Sequence, residues 1–177
     1  HPTYVITALA PSETGAAVLR KKYPSIRTVL GDLDAITLLE TESENADVVI
    51  HTKDCDHVAA AKALVAGMSR RPQGGLLLHT SGVAIIADEP NEGDCLNPRV
   101  WDDVADEKES FPDTHWHRPA DKVMILESPE KVRTAVICPP TVFGRGRGVK
   151  KTGMGAEALH SGFKKAGAFQ IGSGAPR

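Results

Sequence analysis

The repeated alternation of short apolar runs with helical segments constrains this chain more than any other feature. Five runs are rich in strand-forming residues and are bounded by breakers or polar residues. They are Tyr4–Leu9, Arg27–Leu30, Ala46–His51, Gly75–His79 and Val132–Ile137. Continuously apolar strands separated by helices are typical of a parallel sheet that is covered on both faces. The sequence therefore predicts an α/β fold with a doubly wound parallel sheet.

The segments between the strands begin with polar residues that can cap a helix. Ser12 precedes the first helical segment, and Asp34 precedes the second. Asp54 precedes a longer one, predicted from about His57 to Met68. Their side-chain oxygens can accept hydrogen bonds from amides of the first turn. A further helix is predicted for Ala120–Leu126.

The alternation stops after the fourth strand. Residues 88–117 are acidic and poor in aliphatic side chains, which predicts a surface excursion with one short helix near Val100–Val104. Beyond the fifth strand, we expect a helix at Ala156–Lys165, a short strand at Phe169–Ile171 and a flexible tail at about 172–177. All of these segments are assigned to a single domain that spans residues 1–177.

Composition excludes several classes of protein. The 177 residues suit one domain, and a net charge of -2 gives no reason to expect nucleic acid or an anionic membrane as partner. The three cysteines are too few for a disulfide framework and favour a reducing, cytoplasmic compartment. No apolar run approaches the roughly 20 residues that span a bilayer. Because the chain begins with His1 rather than Met, we expect upstream residues to be missing.

The carboxyl ends of the predicted strands carry small, hydroxylic and acidic residues. In a doubly wound sheet, ligands bind outside these ends. The ends are Asp32-Leu33, His51-Thr52-Lys53, Thr80-Ser81-Gly82 and Pro139-Pro140-Thr141. Each alone is equally typical of an ordinary loop. Four such ends in succession favour a binding site.

Six segments, in the right order and with plausible spacing, resemble motifs of extended short-chain dehydrogenases/reductases, the NAD-dependent epimerase/dehydratase type. They are Ile6–Leu9, Val29–Asp34, Ala46–His51, Leu78–Gly82, His117–Lys122 and Ile137–Gly144. The fourth resembles the strand with the family's active-site serine, and the fifth resembles the catalytic-lysine helix of an atypical, largely fungal branch. The resemblance covers nearly the whole chain. It implies an incomplete Rossmann-like fold that lacks the first strand and helix.

The resemblance also implies residue roles in binding NAD or NADP. Asp32 would accept a hydrogen bond from the adenine amino group while Leu33 packs on the ring, and Thr52 would lie beneath a ribose. Backbone groups at the end of the fifth strand would meet the nicotinamide carboxamide; these are in Pro140, Thr141 and Val142. The alternatives are a helix N-cap loop for Asp32, a simple strand cap for Thr52 and a rigid turn for Pro140–Val142.

For catalysis, the resemblance implies that Ser81 hydrogen-bonds a substrate carbonyl or hydroxyl. Lys122 would bind the nicotinamide ribose and lower the pKa of a neighbouring acid by its charge. The family's tyrosine, four residues before the lysine, is replaced by Arg118, which keeps its proton and cannot take over proton transfer. His117 can titrate near neutrality, but it lies about 100° around the helix from that position. His117 is therefore a candidate replacement for the tyrosine, in an unfavourable orientation.

The chain departs from the family in a second way. No glycine-rich phosphate-binding turn occurs in residues 1–177, and the loop Gly144–Gly148 does not have its pattern. Ala10-Pro11 stand where an acidic residue would select NAD or an arginine NADP, so the choice stays open. We therefore expect this chain alone to bind a dinucleotide poorly.

Two clusters contain metal-ligand types: Asp54-Cys55-Asp56-His57 and His115-Trp116-His117. Neither has a second pair of ligands at zinc-site spacing. A helix N-terminus and a solvated loop explain them better, so the sequence predicts no metal site.

Three functions follow as hypotheses. The first is an NAD(P)-dependent oxidoreductase or epimerase that acts on a small carbonyl or alcohol. The second is a non-catalytic regulator that senses dinucleotides or binds a protein, which the missing tyrosine favours. The third is a fragment whose exposed sheet edge pairs with another chain. A homo-oligomer is compatible with all three.

Overall fold

The computed structural model describes residues 4–87, 100–102, 111–142 and 144. Strands and helices alternate along these residues, as the sequence predicts. The elements are β1 (Thr7–Ala10), α1 (Glu13–Lys22), β2 (Arg27–Leu30), α2 (Ile36–Glu44), β3 (Val48–His51), α3 (Val58–Arg70), β4 (Gly75–Thr80), a 3-10 helix (Val83–Ile86), α4 (Arg118–Ile125) and β5 (Val132–Ile137). The longest of these helices has 13 residues, and no described helix combines the length and the hydropathy that a bilayer crossing requires.

The strands form two parallel sheets rather than one. β1 pairs with β2, and β3, β4 and β5 pair in that order. The parallel orientation is confirmed, whereas the expectation that all five strands lie side by side in one sheet is wrong. An apolar pattern identifies a strand, but it carries no information about which other strand lies beside it.

The hydrophobic core lies between the three-stranded sheet and helices α3 and α4. Its most buried members from the two layers are Ala60, Ala61, Met68, Leu77 and Met124. Helix α2 packs closely on α3, because a Cβ atom at Gly67 would lie only 2.1 Å from the Glu40 carbonyl oxygen. The alanine-rich and glycine-containing surface of α3 thus permits near contact between helix backbones.

The two faces of the three-stranded sheet differ in burial. The register places Val49 and His51 on the face that meets the helices, together with Leu77 and His79 of the neighbouring strand. Val48, Ile50 and Ile137 point to the opposite face and are exposed. Among the described residues, the helix layer therefore covers one face of this sheet.

Two of the three predicted helix caps are wrong. Ser12 does cap α1, where its hydroxyl accepts a hydrogen bond from the Gly15 amide at 3.2 Å. Helix α2 begins after Ala35 with no side-chain cap. Helix α3 is capped by His57, whose Nδ1 accepts from the Ala60 amide at 3.1 Å. The carboxylate of Asp34 lies 3.1 Å from Nε2 of the same ring, so it orients the histidine instead of capping its own helix.

In the predicted surface excursion (residues 88–117), the described residues pack on one another and contact the 3-10 helix. Trp101 stacks on Phe111 with ring centroids 4.6 Å apart, and Nδ1 of His115 donates to the Ile85 carbonyl oxygen at 2.7 Å. The predicted helix near Val100–Val104 lies partly outside the described residues, and residues 100–102 are not helical. The helix, strand and tail predicted after residue 148 lie outside the described residues.

Candidate active site

A buried polar cluster lies at the carboxyl ends of β3 and β4. It consists of His51, His79, Ser81 and the α4 residue Asp121. His79 and Asp121 are completely inaccessible to solvent, and the other two are nearly so. Burying polar groups costs free energy unless they find partners. Four of them together in a small core therefore indicate a functional constraint more than a packing one.

The central contact joins Ser81 to Asp121. The serine hydroxyl donates to Oδ2 of the carboxylate at 2.7 Å. The Ser81 amide donates to the Ile137 carbonyl oxygen at 2.8 Å, which fixes the backbone of this residue against β5. Because the hydroxyl hydrogen is engaged by the aspartate, the serine oxygen keeps lone pairs with which to accept a hydrogen bond from a substrate hydroxyl.

His79 connects this pair to His51. Its Nε2 lies 3.2 Å from Oδ1 of Asp121, although the two atoms are not aligned as a hydrogen bond. Its Nδ1 lies 2.8 Å from Nδ1 of His51, so one of these nitrogens must carry a hydrogen and the other must accept it. Burial, and secondarily the nearby His79, lowers the pKa of His51 to about 4. The His51 ring is therefore neutral near pH 7. The cluster consists of two hydrogen-bonded pairs, the two histidines and Ser81 with Asp121, which meet at the 3.2 Å approach of His79 to Asp121.

Arg118 occupies the position at which the resemblance places a tyrosine. Its side chain is buried, and its Nε lies 3.6 Å from a carboxylate oxygen of Asp113. Its guanidinium also lies over the Phe111 ring, 6.0 Å from the centroid. Among the described residues, its Nε and Nη1 atoms have no hydrogen-bond partner. A permanent positive charge thus lies one helical turn before Asp121.

His117 lies at the start of α4 with a left-handed backbone (φ 68°). Its Nδ1 is 2.8 Å from Oδ1 of Asp56 and 3.3 Å from Sγ of Cys55. On the other side of the ring, Nε2 faces Gly82, where a Cβ atom would lie only 2.8 Å away. Burial, and then the charge of Asp56, raises the pKa of the Cys55 thiol. The fold therefore brings His117 next to the residue that follows Ser81, as well as to the loop after β3.

Lys122 faces away from this cluster. Its ammonium group donates to the Asp113 carboxylate, with Nζ 2.9 Å from Oδ2, and its side chain is 40% exposed. That hydrogen bond lowers the pKa of Asp113. No described contact joins Lys122 to Ser81, because Asp121 takes the inward position and the next residue lies about 100° further around the helix. Its catalytic role stays a prediction.

The predicted cofactor residues lie at strand ends, with different exposures. Asp32 is exposed and accepts a hydrogen bond from the Asp34 amide at 3.0 Å, whereas Leu33 packs in the hydrophobic core. Thr52 is exposed directly after β3. The exposed positions beyond β5 are Pro140, Thr141 and Val142. Their roles in cofactor binding stay predictions.

No functional role was predicted for the two histidines or for Asp121, although His51 stands in one of the strand ends that favour a binding site. A signal for the histidines was present, since β3 and β4 both end in an apolar run followed by histidine: Val48-Val49-Ile50-His51 and Leu76-Leu77-Leu78-His79. A histidine at the end of a buried strand needs a polar partner. Asp121 gave no comparable signal, because only the α4 packing shows that it points inward.

No protein-family model matches this chain. A protein named oxidase ucsJ, from an Acremonium species, is 33% identical over 186 aligned positions. The alignment covers 98% of this chain but 53% of the relative, so the chain spans about half the length of that protein. The similarity therefore extends along nearly the whole chain described above.

Proposed function

We propose that this chain is the Rossmann-like, dinucleotide-binding part of an oxidoreductase that resembles extended short-chain dehydrogenases/reductases. It would use NAD or NADP and act on a small carbonyl or alcohol. The name of its relative, an oxidase, supports the oxidoreductase class.

The order of the strands carries the proposal. A Rossmann sheet has the spatial order 3-2-1-4-5-6, with all strands parallel. Without strand 1, this order leaves one pair (3-2) and one triplet (4-5-6). The described strands have this division, since β1 pairs with β2 and β3 to β5 form the triplet in sequence order. The division supports a Rossmann-like sheet, and it supports the matching of β1 to the family's second strand.

The buried cluster offers a route for the proton in place of the missing tyrosine. When bound, nicotinamide accepts or supplies the hydride. The Ser81 oxygen would accept a hydrogen bond from the substrate hydroxyl and pass the proton to Asp121, to which its own hydroxyl already donates. His79 lies behind this carboxylate and would stabilise or relay the transferred proton. In the reverse direction, the same groups would return a proton to a carbonyl oxygen.

The first test is a fluorescence titration with NADH and NADPH. It would use the 177-residue chain and a chain extended by an upstream glycine-rich βα unit, and turnover would be assayed with small alcohols and carbonyls. We expect clearly tighter binding by the extended chain, because amides at a helix N-terminus supply the pyrophosphate site. Failure of both chains to bind either dinucleotide would overturn the proposal.

The second test addresses the proton route. Ser81→Ala and Asp121→Asn should lower kcat by about 100-fold or more, in line with general acid–base catalysis. Ser69→Ala is the matched control, because among the described residues that hydroxyl hydrogen-bonds the Val65 carbonyl of its own helix. An unchanged kcat in both site variants would contradict proton transfer through Ser81 and Asp121.

A non-catalytic regulator is the second candidate. The buried Arg118 in place of the tyrosine and the engagement of Lys122 by Asp113 favour it. Dinucleotide binding without turnover, in the extended chain, would support this candidate over the enzyme. A third role, pairing of a free sheet edge with another chain, would be supported by self-association or partner capture without dinucleotide binding.

A further inference from the structure

Three different metal-ligand types meet beside the candidate site, where the His117 ring packs against Gly82. The Cys55 thiol, the Asp56 carboxylate and the His117 imidazole each offer one donor atom, and these three atoms lie within 4.8 Å of one another. The first two come from the loop after β3, and the histidine lies at the start of α4. In the sequence, neither local cluster has a second pair of ligands. The fold supplies the missing ligand across 61 residues.

The two separations from the His117 donor approach those of a tetrahedral metal site. Zinc lies about 2.0–2.3 Å from nitrogen, oxygen and sulfur ligands, which places pairs of ligands about 3–4 Å apart in a tetrahedron. Nδ1 of His117 is 3.3 Å from the Cys55 sulfur and 2.8 Å from an Asp56 oxygen. An ion would therefore need to move His117 Nδ1 away from the other two donors by only a few tenths of an ångström to about half an ångström. The Cys55 and Asp56 donors lie within 4.8 Å of each other.

The surroundings hold the histidine in position. The ring packs edge-on against Gly82, the only residue type that leaves room for Nε2 there, so Nδ1 is turned towards the other two donors. The Asp56 amide donates to Oδ1 of Asp54 at 3.3 Å, which shapes the loop that carries the other two donors. The Asp56 side chain is partly exposed, so an ion can enter and solvent can reach it.

We propose that Cys55, Asp56 and His117 bind a divalent transition-metal ion, with zinc as the best match to this mixed set of donors. Thiolate and imidazole select zinc and its neighbours over magnesium or calcium. Three protein ligands leave a fourth position for water or for an oxygen of the substrate. The other edge of the His117 ring faces Gly82, which directly follows Ser81, so this ring joins the proposed metal site to the candidate active site. The proposal does not depend on dinucleotide binding.

Cobalt(II) titration of the metal-free 177-residue chain tests the site directly. A cysteine ligand gives a sulfur-to-cobalt charge-transfer band in the near ultraviolet, whereas a hydrogen-bonded trio without metal gives none. We expect this band at one equivalent of cobalt, its displacement by zinc, and a higher melting temperature with zinc than without it. Lack of the band in the folded wild-type chain would overturn the proposal.

Variants identify the donors. Cys55→Ser should abolish the charge-transfer band, and Asp56→Asn and His117→Ala should each weaken binding beyond the about 10- to 100-fold range of second-shell changes. The control is Cys138→Ser, because Cys138 is the other described free cysteine and is exposed. Loss of the band in Cys138→Ser, or its persistence in Cys55→Ser, would contradict the assignment.

Gly82→Ala provides a test that removes no donor. The added methyl group would press on the His117 ring, so zinc affinity should fall while circular dichroism stays unchanged. Should Gly82→Ala bind zinc as tightly as the wild type in a folded chain, the histidine would not be a ligand in the orientation described.

Discussion

The two faces of the three-stranded sheet differ in an unexpected way: the covered face includes polar side chains, and the exposed face carries apolar ones. The face that packs against the helices contains two polar rings, His51 and His79, beside the fully buried Leu77. The opposite face carries Val48 and Ile50, which are apolar and exposed. A sheet covered on one face only would be expected to bury apolar side chains there and to expose polar ones, because apolar burial is the main favourable term in folding.

This distribution of side chains fits a sheet that both packs in the core of the fold and carries a binding site. The apolar exposed face fits a doubly wound fold, in which both faces are covered by helices. The polar residues on the covered face sit only at the carboxyl ends of the strands, where such sheets bind ligands. The residues in the middle of the covered face therefore stabilise the fold, and those at the carboxyl ends of its strands form the candidate site.

Leu77→Ala should give the largest loss of stability. Leu77 lies on the covered face and is completely buried between β3 and β5. Its truncation removes apolar contacts and leaves a cavity, which together cost about 3–4 kcal/mol. Urea unfolding measures the change. A cost below about 1 kcal/mol, the level typical of surface positions, would mean that this face is not the core.

The pH dependence of stability tests the polar end of the same face. The pKa of His51 falls from 6.5 in the unfolded chain to about 4 in the folded one, mainly through burial. The unfolded state therefore binds more protons in this window. The stability that the neutral, buried His51 contributes is complete above pH 6.5 and is lost as the pH falls towards 4, by about 3 kcal/mol.

His51→Gln isolates this contribution. Unfolding free energies of the variant and the wild type are compared across the same pH window, so that the carboxylates common to both cancel. The wild type should lose more stability on acidification than the variant. Parallel pH profiles would indicate that His51 is accessible to solvent and would weaken the buried relay.

Much of the fold follows from the sequence, because local patterns determine local elements. β2 and β5 have the predicted bounds, and the other strands and the predicted helices α3 and α4 differ by at most three residues at an end. Helix α4 begins two residues before its predicted start, since Pro119 is tolerated in the first turn. The division into two sheets does not follow from these local patterns, because strand neighbours depend on contacts that are distant in sequence. It agrees instead with the strand order of the fold that the chain resembles.

The candidate site was predictable only in part, for the same reason. Ser81 and His117 were singled out from a resemblance, and the fold brings His117 against the residue after Ser81. The actual partner of Ser81 is Asp121, one residue before the predicted Lys122. Neighbouring residues on a helix point about 100° apart. A sequence motif does not show which side of the helix packs against the sheet, so it cannot decide whether Asp121 or Lys122 points inward.

Gly67→Ala tests the helix layer that covers the sheet. A Cβ atom there would meet the Glu40 carbonyl oxygen at 2.1 Å, so α2 and α3 must separate. We expect a net loss of about 1–2 kcal/mol after the gain in helix propensity. Gly15→Ala in α1 is the control, since its nearest neighbour would be at 3.4 Å, and it should not destabilise. Equal effects would mean that the α2–α3 contact is loose.

The smallest effect is expected on the exposed face, from Ile50→Thr. Ile50 is 64% exposed, and threonine keeps the β-branched shape that suits a strand, so the unfolding free energy should change by no more than about 0.5 kcal/mol. Val49→Thr is the matched variant, because the preceding residue of the same strand packs against the core. Its new hydroxyl would lack a partner there, at a cost of about 1–3 kcal/mol.

The ratio of these two costs reports whether another layer covers the apolar face. If only the helix layer packs on β3, Val49→Thr should be clearly more harmful than Ile50→Thr. If the two variants lose equal stability, then Ile50 is buried by a second layer in solution, as a doubly wound sheet requires. That result would abolish the difference between the two faces, but it would strengthen the assignment of the fold.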